Sequence, residues 1–289
     1  MDIIDAHLHM RQHENFDNLC RASGHENSLA HVQQSFDSLH VRGCVVMGSA
    51  FPADDPTQPG LFDLGIPVDI EHYNYPRGIG FCIGIVPEGL TAPLRERTLA
   101  HYEHAAACPA CVGFKIYLGY HHFYADDPIY HPVYELALRL GLPVVFHTGD
   151  TASSTGRLRF SHPLTVDEVA VRYPSLCIVL AHFGNPWMAE AAEVAKKNHN
   201  VYVDLSGLAV GVPDVPDFRR RYAGYIGLLE TWLGYLDRYD HVLYGTDWPL
   251  VNMAIYQALI SSLIPEEKQE CVFYQNALTV FERLRPLLR

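Results

Sequence analysis

Apolar, β-branched runs bounded by turn residues recur along the whole chain, and the stretches between them carry apolar positions at helical spacing. Eight runs read as strands: 3–7 (IIDAH), 43–48 (GCVVMG), 80–86 (GFCIGIV), 112–118 (VGFKIYL), 142–148 (LPVVFHT), 176–182 (LCIVLAH), 200–206 (NVYVDLS) and 241–247 (HVLYGTD). Most are apolar on both faces, as parallel strands covered by helices are. Helices are predicted over 28–40 (behind a Ser28 cap), 92–106, 132–141, 165–174, 187–198, 218–239 and 265–284. Each helix but the last leads closely into the next strand, often through Gly or Pro.

Strand–helix units repeated in this order predict an α/β fold, a (β/α)8 TIM barrel built as a single domain over residues 1–289. The runner-up is an open doubly wound sheet. That fold favours a glycine-rich phosphate loop after strand 1, whereas strand 1 here ends in His-Leu-His. The longest strand-to-helix connections follow strands 2 (49–78), 4 (119–131), 5 (149–164) and 7 (207–217). In a barrel these lie on the C-terminal face, where active sites are built.

Ionisable residues collect at the same ends. His7 and His9 share a face if strand 1 is extended to its end. Lys115 sits within an apolar run, and His147, His182 and Asp247 end strands 5, 6 and 8. An isolated His-x-His is more often a pair of surface histidines. Four histidines, a lysine and an aspartate at the ends of five strands are another matter, because buried charges cost several kcal/mol unless paired or metal-bound. Imidazoles with a carboxylate suit a divalent metal: zinc first, with manganese or iron as alternatives. Such an ion would lower the pKa of its water to roughly 7, with Asp247 ligating it and moving the proton.

Composition narrows the partners. A formal charge of −12 argues against nucleic acid or an anionic membrane surface, and no apolar run approaches a membrane span. Seven cysteines, an odd number lying mostly in or near apolar runs, read as reduced thiols, and no secretory signal pattern opens the chain, so a cytoplasmic protein acting on a small molecule is expected.

These residues resemble the amidohydrolase superfamily, metal-dependent barrel enzymes with His-x-His on strand 1, His on strands 5 and 6, and Asp on strand 8. LAHFGNPW (180–187), YGTDWPL (244–250) and FYQNALTVF (273–281) are similar to its amidohydrolase-related group, which includes aromatic decarboxylases and hydrolases. The resemblance implies His7, His9, His147 and Asp247 as metal ligands, and His182 as catalytic base or electrophile in a mononuclear site. GFKIYLGY (113–120) resembles the strand-4 segment of dihydropyrimidinases, whose lysine is carboxylated and bridges two metals. A carboxylated Lys115 would place His147 and His182 on the second ion. An unmodified Lys115 would be a substrate anchor or the partner of a carboxylate. Tyr120, by the same resemblance, would stabilise an oxyanion, and a homodimer is common among similar enzymes.

Further candidates lie in the loops. Asp150 would accept a hydrogen bond from a metal-bound imidazole. Arg157, Arg159 or Arg77 would grip a substrate carboxylate. Trp187 and Trp248 would wall the pocket. The expected activity is hydrolysis of an amide, lactone or ester by metal-bound hydroxide. The alternatives are non-oxidative decarboxylation or hydration of an aromatic or unsaturated acid, and an inactive barrel serving as a binding module.

Overall fold

The computed structural model describes residues 1–49, 55–61 and 76–288. Its parallel strands are β1 (Ile3–Leu8), β2 (Val41–Met47), β3 (Ile79–Gly84), β4 (Cys111–Ile116), β5 (Val144–Phe146), β6 (Ile178–Leu180), β7 (Val201–Asp204) and β8 (Val242–Leu243), hydrogen-bonded in sequence order as one eight-stranded sheet. The seam between β8 and β1 is made mostly beyond the two-residue β8. Ala6 N–H donates to Tyr244 O at 2.9 Å, Asp247 N–H to His7 O at 2.7 Å, and His9 N–H to Trp248 O at 2.8 Å. The fold is the expected (β/α)8 barrel.

Strands β5 to β8 are shorter than their apolar runs predict. Their last residues leave the ladder and bend over the rim. His182, Phe183 and Asp247 take left-handed backbone, with φ of 61°, 47° and 64°. That conformation is uncommon away from glycine and concentrates where function constrains the chain.

The helices are α1 (Glu14–Ala22), α2 (Leu29–Leu39), α3 (Arg95–Ala106), α4 (His131–Leu140), α5 (Leu164–Arg172), α6 (Met188–Lys197), α7 (Val215–Arg221), α8 (Ala223–Leu236), α9 (Met253–Ser261), α10 (Glu266–Glu270) and α11 (Asn276–Val280). The Ser28 hydroxyl caps α2 by accepting from His31 N–H, as its sequence predicts. Two helices escape the pattern. α1 is a short, mostly polar helix that buries only Cys20, and α9 is apolar nearly all round. The single helix expected over 218–239 breaks at Tyr222, whose φ/ψ of −109°/33° separates α7 from α8. The segment over 265–284 is likewise interrupted, by a π-helical turn at Cys271–Gln275 between α10 and α11. Most of the 49–78 connection lies outside the described residues.

Two apolar layers hold the barrel. Ile4, Ala6, Val45, Met47, Cys82, Val112, Val145, Val179, Ala181 and Leu243 fill the interior, and Phe281 and Leu284 from the C-terminal segment pack against them. Leu284 and Leu288 lie where side chains at Gly43 and Gly80 would project, so this segment stoppers the N-terminal end. The opposite end is left for polar groups. Outward residues such as Val46, Ile83, Phe114 and Phe146 pack under the helices. Among the described residues no helix is long and apolar enough to cross a membrane.

Candidate metal centre

Lys115 is level with Val145 in the β4–β5 register, and Val145 belongs to the interior layer. His147 follows Val145 by two residues and so continues its face at the C-terminal rim. His7, His9, His182 and Asp247 reach the same rim. His7 Nε2 and His9 Nε2 lie 3.7 and 3.2 Å from Asp247 Oδ1, and His182 Nδ1 lies 3.9 Å from Asp247 Oδ2. Ligand atoms of His7, His9 and Asp247 fall within 4.8 Å of one another. Gly207, at φ 67°, passes directly beneath: a Cβ there would sit 2.8 Å from Asp247 Oδ2 and 3.2 Å from His182 Nδ1. Any side chain at this position would push the two groups apart.

Hydrogen bonding settles which nitrogen each imidazole presents. His7 Nδ1 lies 2.8 Å from Asp204 Oδ2, and the carboxylate only accepts, so His7 carries its proton on Nδ1. Its Nε2 is fully buried and has no hydrogen-bond partner among the described residues. His147 Nε2 lies 2.8 Å from the Asp150 carbonyl and must donate to it, which leaves Nδ1 bare. His182 Nδ1 faces the Ser206 carbonyl at 3.2 Å and the Ser206 hydroxyl at 2.9 Å, while that hydroxyl donates to Asp204 Oδ1. His182 therefore carries its proton on Nδ1 and presents Nε2 bare. The bare nitrogens of His147 and His182 stand 3.1 Å apart. Two neutral imidazoles cannot bond lone pair to lone pair, so a proton or a cation belongs between them. Two nitrogens each about 2.1 Å from one tetrahedral ion lie roughly 3.4 Å apart, close to the observed gap.

A proton is the weaker occupant. Burial, then the nearby Lys115 charge, lowers His7 to about 3. Burial, then His182 and Lys115, drives His147 well below its ordinary value. Burial also lowers His182, against the pull of Asp247 and Asp204. All three imidazoles are thus held neutral, the state in which they bind metal. Burial alone would raise the Asp247 carboxyl, but the His9 hydrogen bond and the facing imidazoles hold it well below the usual carboxylate range. The Asp204 carboxyl is held low in the same way, chiefly by His7. The donor set fits a divalent cation. The His7, His182 and Asp204 atoms also cluster, but Asp204 is already engaged by both histidines and Ser206, so it orients ligands and is not a ligand itself.

Lys115 is fully buried, and its Nζ has no hydrogen-bond partner among the described residues. Burial lowers its pKa to about 8, with Asp204 and Asp247 opposing the shift. The Tyr117 ring lies 5.2 Å from Nζ. A cavity of about 290 Å³ opens over the donors, lined in part by His9, Arg11, Met47, Tyr117, Tyr120, His147, His182 and Asp247. A second, of about 500 Å³, shares Tyr120, His147, His182 and Asp247 and extends toward Gly207, Phe218 and Tyr225. Tyr120 Oη accepts from Ala152 N–H at 2.9 Å, so its own O–H is left to donate into the cavity. Burial raises the Tyr120 pKa, which keeps the phenol protonated.

The loop candidates fare differently. Asp150 supports His147 through its main-chain carbonyl; its carboxylate instead accepts from Thr151 N–H. Arg157 and Arg159 are exposed and line neither cavity, and Arg159 lies over the Phe160 ring. Arg77 is also exposed, two residues before β3, which puts it at the N-terminal rim. Trp187 packs on His162 at the start of α6. Trp248 is 1% exposed and lies beside His25, so it is a packing residue; its neighbours Asp247, Pro249 and Leu250 line the cavity. Two residues have no counterpart in the sequence reading. Asp204 lies within the NVYVDLS run and ends β7, where an acid in so apolar a strand is the signal that could have found it. Arg11 follows the His-x-His by two residues.

Fold and rim together define an α/β-barrel protein with a metal-ligand set at its C-terminal face. The amidohydrolase family model matches residues 45–283, and the chain belongs to that family. His7 and His9 precede the matched segment. No curated protein gives a significant match. Among solved structures, an uncharacterised TIM-barrel protein of Bordetella bronchiseptica superposes with TM-score 0.70 at 19% identity, covering 99% of this chain and 100% of its own. A 2,6-dihydroxybenzoate decarboxylase from Rhizobium gives TM-score 0.67 at 14% identity, covering 98% and 99%. A putative 2-pyrone-4,6-dicarboxylic acid hydrolase from Pseudomonas putida gives 0.62 at 15%, covering 98% of each. At these identities the likeness is one of fold.

Proposed function

We propose that the protein is a metal-dependent hydrolase that cleaves an amide, lactone or ester bond of a small molecule. The observation that carries this reading is the set of bare, buried nitrogens on His7, His147 and His182, gathered with His9 around an ionised Asp247. A divalent ion, zinc by donor type, polarises a carbonyl and acidifies water when bound. Asp247 accepts the proton released as water attacks and passes it to the leaving group. Tyr120 donates its free O–H to the oxygen on which charge develops. Asp204 and Ser206 fix the tautomers of His7 and His182.

The pairing supports two cation positions, His7 with His9 and Asp247, and His147 with His182. Lys115 is read as the bridge. Burial favours its neutral amine, the form that would add carbon dioxide and release one proton to give a carbamate, whose oxygens would serve as further metal ligands. None of the seven cysteines forms a disulfide, in keeping with a reducing cytoplasm.

Decarboxylation of an aromatic acid is the second reading, because the solved neighbours' names cover both reactions. Hydrolysis is preferred since a proton acceptor, a phenol donor and the ligand set are all in place. The intact donor set argues against an inactive barrel. Metal analysis of gently purified protein, with assays on lactones, amides and esters, tests the proposal. One or two ions per chain are expected, with turnover falling by orders of magnitude in His7→Ala and Asp247→Asn while the circular dichroism spectrum stays native. Near-normal turnover in either variant removes the site assignment. Release of carbon dioxide from an aromatic acid without any hydrolysis replaces the reaction.

A further inference from the structure

Arg11 differs from several arginines of the outer surface. Arg42, Arg97, Arg139, Arg219 and Arg220 each meet an aspartate or glutamate. Arg11 meets no carboxylate among the described residues. Its guanidinium donates to the Ser49 hydroxyl, and the remaining N–H groups have no protein acceptor there. The side chain is half-buried and lines the same cavity as His9, Tyr120 and Asp247. Arginine is always charged and presents a planar fork that matches a carboxylate. In a chain of formal charge −12, with acidic partners plentiful, a guanidinium in the wall of the metal-site cavity that meets no carboxylate among the described residues is a feature that needs a ligand.

We infer that Arg11 binds a carboxylate of the substrate that takes no part in bond cleavage. This rests on the reading of the cavity as the reaction site and names its substrate class: a small organic acid whose reacting carbonyl lies at the donor cluster while its spectator carboxylate lies on Arg11. The rest of the wall describes the body between them. Phe16, Leu19, Met47 and Tyr117 present apolar and aromatic surface, so the body is compact and largely apolar, and a ring fits best. Ser49, held by Arg11 at the end of β2, and Gly48, whose carbonyl accepts from Tyr117 Oη, brace this wall. The position follows from the fold. Arg11 lies three residues beyond the end of β1, so the rim that presents the His-x-His also presents the fork.

Calorimetric titration of the purified protein with benzoate and with benzamide, isosteric and differing in charge, tests the inference. Wild type should bind benzoate roughly ten- to a hundredfold more tightly than benzamide, the range of one charge-assisted pair. Arg11→Gln should erase the difference, and Arg11→Lys should restore part of it by keeping the charge without the fork. Melting curves confirm that both variants fold. Absence of a preference in wild type, or its survival in Arg11→Gln, overturns the inference; the latter places the anion on the metal. The titration needs no turnover, so failure of the hydrolase assays would leave its result standing.

Discussion

Asp204→Asn isolates the contribution of a residue that never needs to touch the metal. Asp204 Oδ1 accepts His182 N–H at 3.0 Å, Ser206 N–H at 3.1 Å and the Ser206 hydroxyl, while Oδ2 accepts His7 Nδ1–H. Asparagine has one acceptor oxygen. Three donors hold that oxygen on the Ser206 side, which turns the amide NH2 toward His7. Two donors cannot face each other, so the His7 proton moves to Nε2 and the bare nitrogen is lost from the cavity. Restoring the binding tautomer then costs one charge-assisted hydrogen bond, about 1.5–3 kcal/mol. That corresponds to roughly 10- to 150-fold in affinity, in line with the 10–100-fold typical of groups that orient metal ligands. Competition for Zn2+ against a chromophoric chelator measures it, with melting curves as the folding check. Asp150→Asn is the control, because its carboxylate bonds only Thr151 N–H among these groups and should leave affinity unchanged. Equal Zn2+ affinity in Asp204→Asn and wild type, with both folded, refutes the tautomer argument.

Three further outcomes are expected. Lys115→Met should lower the metal content from about two ions to one per chain while the barrel stays folded; retention of both ions would show that Lys115 is no bridge. Acidifying metal-free protein should lower its stability between about pH 6.5 and 3, because His7 stays neutral in the folded state while the unfolded imidazole takes a proton. The effect reaches at most about 4–5 kcal/mol. The Asp5 carboxyl, pushed up to about 7 by burial, works in the opposite sense, so the difference in melting temperature between wild type and His7→Gln isolates the histidine. An identical pH slope in the two proteins refutes it. Phe281→Ala, which empties the stopper at the barrel's N-terminal end, should cost about 3–5 kcal/mol. The same denaturant titration that reads this should show no change in metal binding, since Phe281 belongs to the buried layer at the far end from the ligands.

The sequence by itself determined the architecture and most of the ligands. Eight apolar runs separated by helical patterns admit few topologies, and a parallel barrel places every strand end at one rim. His7, His9, Lys115, His147, His182 and Asp247 were therefore legible as a group once the strands were counted. Helices with a clear stripe or cap, such as α2 and α6, were equally legible. α1 and α9 were not, because one buries a single residue and the other has almost no polar face to mark its period. Tertiary structure alone decided the rest. Asp204 gains its role only when closure of the barrel sets β7 one strand from β1, across β8, so that a carboxylate distant in the chain meets His7 Nδ1. Which nitrogen each imidazole offers depends on carbonyls and hydroxyls brought up by bent strand ends, and no residue pattern encodes those bends. The loop arginines were chosen by residue type, yet exposure separates Arg157 and Arg159 from Arg11. Pattern reports which groups must be buried or exposed on an element. Only closure of the barrel sets the distances and directions at which hydrogen bonds, and hence chemistry, are made.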